Sequence, residues 1–448
     1  MSRPILLVAL AMSVAGIPVA AQPSPAPSPE LSRLAQEFVE FMIGEDFASA
    51  VRRFSDSIQR DVSPAGLGEA WRSLLTRFGR FQRQVGTRSE QIPGHVIVIV
   101  TCLFERGLID VRIAFDGERR IAGLYFVAGQ GAAEFKPPPY ADTGRFTERD
   151  VTVGAGEWAL PGTLSVPRVG ESHPAIVIVH GSGPNDRDGT HGPNKMYRDL
   201  AWGLASRGIA VLRYDKRTRV HAARIAQVID AFTVNHETVD DAVAAVDVLR
   251  RVAGVDGGRI FVLGHSLGGM MAPRIGQRDP AIVGFVVLAG ATTPTEDAIL
   301  AQTIYLASLD GPVSPEAQRQ IDELGRQVAR VKDPNLAPAT PRTELPLGIP
   351  AAYWLDLRGY NPAILAREQN RPMLILQGAR DYQVTLEDYE GWRRQLGSRP
   401  NVTFKLYPAL NHSLMAGEGK STPLEYALIG HVGQMVIEDI AAWIMGRR

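Results

Sequence analysis

One cysteine, Cys102, is all that a chain of 448 residues contains. No disulfide can form within it, and no paired-cysteine metal motif can be built. Neither H-E-x-x-H nor any clustered His/Asp spacing occurs, so a catalytic metal is not indicated and the chemistry is expected to need no cofactor. Net charge is missing too: 48 basic residues balance 48 acidic ones. With no basic run to meet a phosphate backbone, nucleic acid is not expected as a partner. Long apolar runs are absent except at the N-terminus, from Ile5 to Val19.

That stretch follows Met1-Ser2-Arg3 and ends in Val19-Ala20-Ala21-Gln22, the charge, apolar and small-residue succession of a signal peptide. Residues 1–21 are read as a leader cleaved after Ala21. Gly16 and Pro18 interrupt the run and leave it short for an uncleaved spanning helix. Export to the periplasm or the medium follows, with folding that depends on no disulfide. Cys102 itself lies in Val98-Ile99-Val100-Thr101-Cys102-Leu103-Phe104, a strand-like setting in which a thiol is inert packing.

Hydrophobic residues make up 45% of the chain, enough to bury a large core. Pro23, Pro25, Pro27 and Pro29 alternate with Ser and Ala, so 22–30 is read as an extended linker. From Leu31 the pattern is helical, with Leu34, Phe38, Phe41 and Met42 on one face, and turns strand-like at 95–104, 108–115 and 121–127. A small α+β domain over 31–130 is expected, then a second linker over 131–147. The rest, 148–448, alternates apolar strands (175–179, 209–214, 259–263, 283–288, 373–377, 402–407) with helices such as 236–252. A lead-in hairpin at 149–153 and 162–166 precedes them. This is the pattern of an α/β fold with a mostly parallel sheet covered on both faces. Between 292 and 369 the alternation stops, and a helical insertion is expected to cap the carboxyl edge of the sheet.

Gly264-His265-Ser266-Leu267-Gly268-Gly269 joins an expected strand to an expected helix. A serine in such a strained turn, flanked by glycines, is presented as a nucleophile, and the Leu267 amide is aimed at an oxyanion. His180-Gly181-Ser182-Gly183 after the strand 175–179 is placed to supply a second amide, from Ser182 or Gly183. Each such donor is worth ~3 kcal/mol in the transition state. The acid should follow in chain order, and Asp381 stands just beyond 373–377, with adjacent Arg380 as an alternative ion-pair partner. Glu296 and Asp297 are rival acids after the preceding strand. His412, after 402–407, is the expected base, since a serine needs an imidazole to take its proton. Its rival His431 falls in an expected helix 423–445 and would face away. His221 and His236 read as solvated helix residues, and His265 as packing beside the elbow.

Taken together, these motifs, with Asp186-Arg187-Asp188 and Arg213-Tyr214-Asp215-Lys216-Arg217, resemble those of bacterial carboxylesterases of the α/β-hydrolase superfamily. Residues 31–127, including Cys102-Leu103-Phe104-Glu105-Arg106-Gly107, look like the NTF2-like domain of uncharacterised function that precedes the hydrolase in one branch of that family. The resemblance implies Ser266, Asp381 and His412 as triad, an acyl-enzyme, and a small-molecule ester of short-to-medium acyl length as substrate. Thr218 departs from the family, where glycine is common. Two other readings stand: a peptidase or amidase of the prolyl-peptidase type, which shares the triad order, and a non-catalytic envelope-binding protein. Tyr353, Trp354 and Tyr360 in the cap either line a pocket or pack the cap. Nothing in the residues sets the oligomeric state.

Overall fold

Pro29 sits at the first helical position, where its missing N–H costs nothing, and opens α1 (Pro29–Ile43). The computed structural model describes residues 28–92, 95–129, 135–309 and 311–447. The leader (1–21), most of the first linker (22–27) and the start of the second (131–134) lie outside the described residues. The helix begins inside the expected linker 22–30, because the proline starts it rather than preventing it.

In α1, Ala35, Phe38, Val39 and Met42 are buried, one stripe at helical spacing. Helices α2 (Phe47–Arg52), α3 (Asp56–Asp61) and α4 (Pro64–Phe78) follow. They lead to an antiparallel sheet ordered β1 (Phe81–Ile92), β2 (His95–Phe104), β3 (Gly107–Phe115), β4 (Ile121–Ala128). Phe38, Phe54, Trp71, Phe104 and Phe126 fill the space between helices and sheet. Cys102 is fully buried there, as its neighbours suggest, and burial pushes its thiol up to about 12.

The larger part is an eight-stranded sheet ordered β14-β13-β12-β11-β7-β10-β6-β5. Its strands are β5 (Phe146–Val153), β6 (Leu160–Pro167), β7 (His173–Val179), β10 (Ala210–Tyr214), β11 (Val255–His265), β12 (Gly284–Leu288), β13 (Met373–Gly378) and β14 (Val402–Tyr407). β8 (Thr190–His191) and β9 (Asn194–Lys195) form a separate short ribbon. All neighbours pair in parallel except the β5–β6 hairpin and the β6–β10 contact. Along β7, Ala175, Val177 and Val179 enter one core and Ile176 and Ile178 the other. Burial on both faces is why the strand is a continuous apolar run.

Helices α5 (Met196–Ala205) and α15 (Gln434–Met445) cover one face. On the other lie α8 (Asp240–Arg250), α9 (Leu267–Arg278) and α14 (Leu386–Leu396). Short α6 (Arg217–Val220) and α7 (Ala222–Gln227) follow β10. The insertion between β12 and β13 carries α10 (Thr295–Ala307), α11 (Pro315–Lys332), α12 (Ala351–Leu357) and α13 (Pro362–Gln369). After β7 the chain runs to β10 on one side, and β11 then joins the other. That reversal opens a crevice at the carboxyl ends of β7 and β11, the usual ligand position in such sheets. No helix among the described residues is long and apolar enough to cross a membrane.

Two expected helices are shorter than their patterns. A π-turn, Asn235–Val239, precedes α8 where 236–252 reads as one helix. The expected helix 423–445 is a 3-10 turn, Pro423–Ala427, and then α15 from Gln434. Gly430 and Gly433 lower the helix propensity between them.

Candidate active site

Ser266 lies between β11 and α9 at φ 55°, ψ −117°, a backbone region that costs a side chain roughly 1–3 kcal/mol. Its neighbours allow the turn to be this tight. A Cβ on Gly264 would stand 2.2 Å from the Gly268 carbonyl oxygen, and one on Gly268 2.4 Å from that of Val179. The Ser266 amide is tied to the Leu288 carbonyl of β12 at 2.9 Å. Leu267 opens α9, so its N–H has no intrahelical acceptor and points out of the helix N-terminus.

The loop after β7 passes directly over this turn: a Cβ on Gly181 would be 3.1 Å from the Ser266 Cβ. The Gly181 N–H is already used, donating to the Tyr197 hydroxyl at 3.0 Å. Lys216, 2% exposed, donates from Nζ to the Gly181 carbonyl at 2.7 Å and so holds the loop from beneath. Ser182 and Gly183 then border the same cavity as Ser266.

Asp381, in the turn after β13, is buried and fully bonded. Oδ1 accepts from the amides of Gln383 (2.8 Å) and Val384 (3.0 Å), and Oδ2 from Gln377 Nε2 at 3.3 Å. Oδ2 also meets His412 Nδ1 at 2.6 Å. A carboxylate can only accept, so Nδ1 carries the proton and Nε2 is left as the basic nitrogen. The two loops meet closely because a Cβ on Gly378 would be 2.4 Å from the Leu410 carbonyl oxygen. His412 and Ser266 border the same cavity; no hydrogen bond joins their side chains in this structure.

The alternative residues fall elsewhere. Asp297 pairs with Lys332 at 2.5 Å, and Glu296 lies in the first turn of α10 without lining the cavity. His431 is not helical: it lies between the 3-10 turn and α15, 3.2 Å from Asp199. Arg380 turns away from Asp381 to the buried Glu425. His221 is not simply solvated, its Nε2 meeting the Ala159 carbonyl at 3.0 Å, whereas His236 stacks on Phe232.

His265 does more than pack. Its Nε2 meets the His412 carbonyl oxygen at 3.0 Å and its Nδ1 the Tyr197 hydroxyl at 3.1 Å. A carbonyl only accepts, so Nε2 donates, Nδ1 accepts, and the tyrosine hydroxyl donates to the ring while accepting from Gly181. This chain ties the loop after β7 to the backbone of His412. It requires a neutral imidazole, and burial drives the His265 pKa well below its ordinary value.

The cavity has a volume of about 330 Å³. The cap builds one wall, with Ile299 and Gln302 of α10 and Tyr353 of α12. Tyr353 donates to Glu237 Oε2 at 2.7 Å, and Glu237 also takes an ion pair from Lys216. Trp354 and Tyr360 pack the cap instead, donating to the Ile349 and Met270 carbonyls. Tyr197, Glu237 and Glu425 carried no motif, and Lys216 stood in Arg213-Tyr214-Asp215-Lys216-Arg217 without a role of its own.

A family model described as serine aminopeptidase, S33 matches residues 170–419, and one described as a protein of unknown function, DUF3887, matches 35–124. The chain is similar to Esterase EstD of Thermotoga maritima, 38% identical over 408 residues that cover 91% of this chain and 94% of the relative. Among solved structures it is similar to Est1E from Butyrivibrio proteoclasticus, with a TM-score of 0.42 and 16% identity, over 66% of this chain and 99% of that one. It is also similar to the acylaminoacyl peptidase of Pyrococcus horikoshii, with a TM-score of 0.43 and 15% identity, over 73% and 52%. Likenesses to an esterase and a peptidase at this distance decide nothing about the reaction.

Proposed function

We propose, for a chain that belongs to the S33 serine aminopeptidase family of hydrolases and is a serine hydrolase of the ester-cleaving kind, that Ser266, His412 and Asp381 form its triad. The observation that carries this is the 2.6 Å contact of His412 Nδ1 with Asp381, in a cavity that Ser266 also borders. Asp381 fixes the tautomer, and Nε2 takes the Ser266 proton as Oγ attacks the ester carbonyl. The amides of Leu267 and Ser182 receive the oxyanion; Gly181 is excluded because its N–H is spent on Tyr197. His412 returns the proton to the leaving alcohol, and water activated by the same nitrogen releases the acyl group.

A cavity of about 330 Å³ suits short-to-medium acyl esters. Esters are favoured over aminoacyl substrates because Glu237, the only carboxylate among the described cavity residues, is already held by Lys216 and Tyr353. That leaves no free anion to receive an α-ammonium. The leader reading of residues 1–21, and with it export to periplasm or medium, belongs to the same proposal, as do the boundaries 31–130 and 148–448. Ser266→Ala should lower turnover of a short-chain nitrophenyl ester about 10⁴-fold or more with thermal unfolding intact. Retained turnover sinks the assignment, and faster cleavage of an aminoacyl anilide than of the ester sinks the ester preference.

A further inference from the structure

Residues 422–429 belong to two neighbourhoods at once. On one side they enter the core of the small N-terminal domain. Ala427 is fully buried among its residues, with Leu424 and Leu428 packed against them. Leu428 pairs with Gly107 at the start of β3, the Ile429 N–H donates to the Arg106 carbonyl at 2.7 Å, and Arg77 donates to Thr422 Oγ1 at 3.0 Å. The fit is close, since a Cβ on Gly107 would stand 2.2 Å from the Ala427 carbonyl oxygen.

On the other side the same segment reaches the triad loops. Glu425, 6% exposed, takes both Nη atoms of Arg380, the neighbour of Asp381. It also accepts from Asn411, the neighbour of His412, at 3.1 Å, and from Ser421 at 3.2 Å. Asn411 Oδ1 in turn accepts from the amides of Ser413 and Met415, and so shapes the loop that carries His412. Tyr426 lines the cavity and bonds Gln383, whose amide binds Asp381. The 3-10 geometry explains the division. With three residues per turn, positions 424 and 427 share one face and leave 425 and 426 to the others.

We propose that this segment is a strap by which the N-terminal domain holds the catalytic acid and base in register, with Glu425 as the positioning residue. The inference rests on the triad reading above. Glu425 touches neither substrate nor reacting atoms. It clamps the loop of Asp381 to the loop of His412, and the N-terminal domain keeps it in place through Gly107, Arg106 and Arg77. Removing its charge leaves the buried Arg380 guanidinium uncompensated beside Asp381.

The test uses the full chain with Glu425→Gln, which keeps the side-chain shape, and Gly107→Ala, which forces the strap away from β3 without touching the triad. Thermal unfolding establishes that each is folded, and labelling of wild-type Ser266 by a fluorophosphonate checks the underlying reading. Each variant should lose kcat toward a nitrophenyl ester by up to about 100-fold, the cost of roughly 1 Å of misplacement, with KM changed far less. The double variant should be no slower than the slower single, because both release one strap. Folded variants with wild-type kcat, or losses that multiply, overturn the strap while leaving a labelled Ser266 standing. An unlabelled wild type removes both readings.

Discussion

Ser266 occupies a backbone conformation that a glycine would reach without strain. Ser266→Gly should therefore abolish turnover yet raise unfolding stability by about 1 kcal/mol, measured by urea denaturation; a loss of stability would show that the turn is not strained. The meeting of Asp381 with His412, and of His412 with Ser266 on one cavity, was legible because each of the three follows a strand in chain order. Tyr197 and His265 were not, since their bond crosses 68 residues of sequence and exists only through space. Cys102 was readable from its neighbours. With its thiol raised to about 12, it should resist a disulfide reagent in the native state and react only on unfolding.

Two buried histidines also give a sign to acid stability. Burial holds His265 well below its ordinary value, and burial aided by the Lys216 charge takes His180 down to about 3. Unfolded histidine titrates near 6.5, so below that pH the unfolded chain binds protons the folded one refuses. The stability they contribute is complete above about pH 6.5 and is lost as pH falls toward about 3. The urea midpoint should drop between pH 7 and pH 5, and drop less in His180→Gln; an unchanged difference would contradict this.

The strands were the most readable elements, because burial on both faces makes each an apolar run bounded by turns. Helix ends were less so. The apolar pattern continues from Pro423 to Met445, yet Gly430 and Gly433 divide it, and the part before them is the segment that meets the loops of Asp381 and His412. The elbow is a tight element, where Gly264 and Gly268 face backbone atoms at 2.2 and 2.4 Å from any added Cβ. Backbone cannot yield as a flexible side chain can. Gly268→Ala should therefore destabilise the fold by about 3 kcal/mol or more, read from thermal unfolding, whereas Gly325→Ala, in open space on α11, should not.

At the scale of the whole molecule, the two sheets do not meet edge to edge; a segment from the C-terminal end of the chain enters the core built by the N-terminal one. Periodicity cannot reveal such a partnership, because Ala427 joins Phe78 and Trp71 across more than 300 residues of intervening sequence. The cap is similar: its position was readable from the interruption at 292–369, but Tyr353 reaching Glu237 was not. What the whole arrangement must deliver is one reactive serine. Treatment of the protein with a fluorophosphonate, followed by peptide mass mapping, tests that most directly. The account predicts a single adduct on Ser266, formed in step with loss of ester turnover, absent in Ser266→Ala and greatly slowed in His412→Ala. An adduct on another residue, or full ester turnover after complete modification of Ser266, would contradict it.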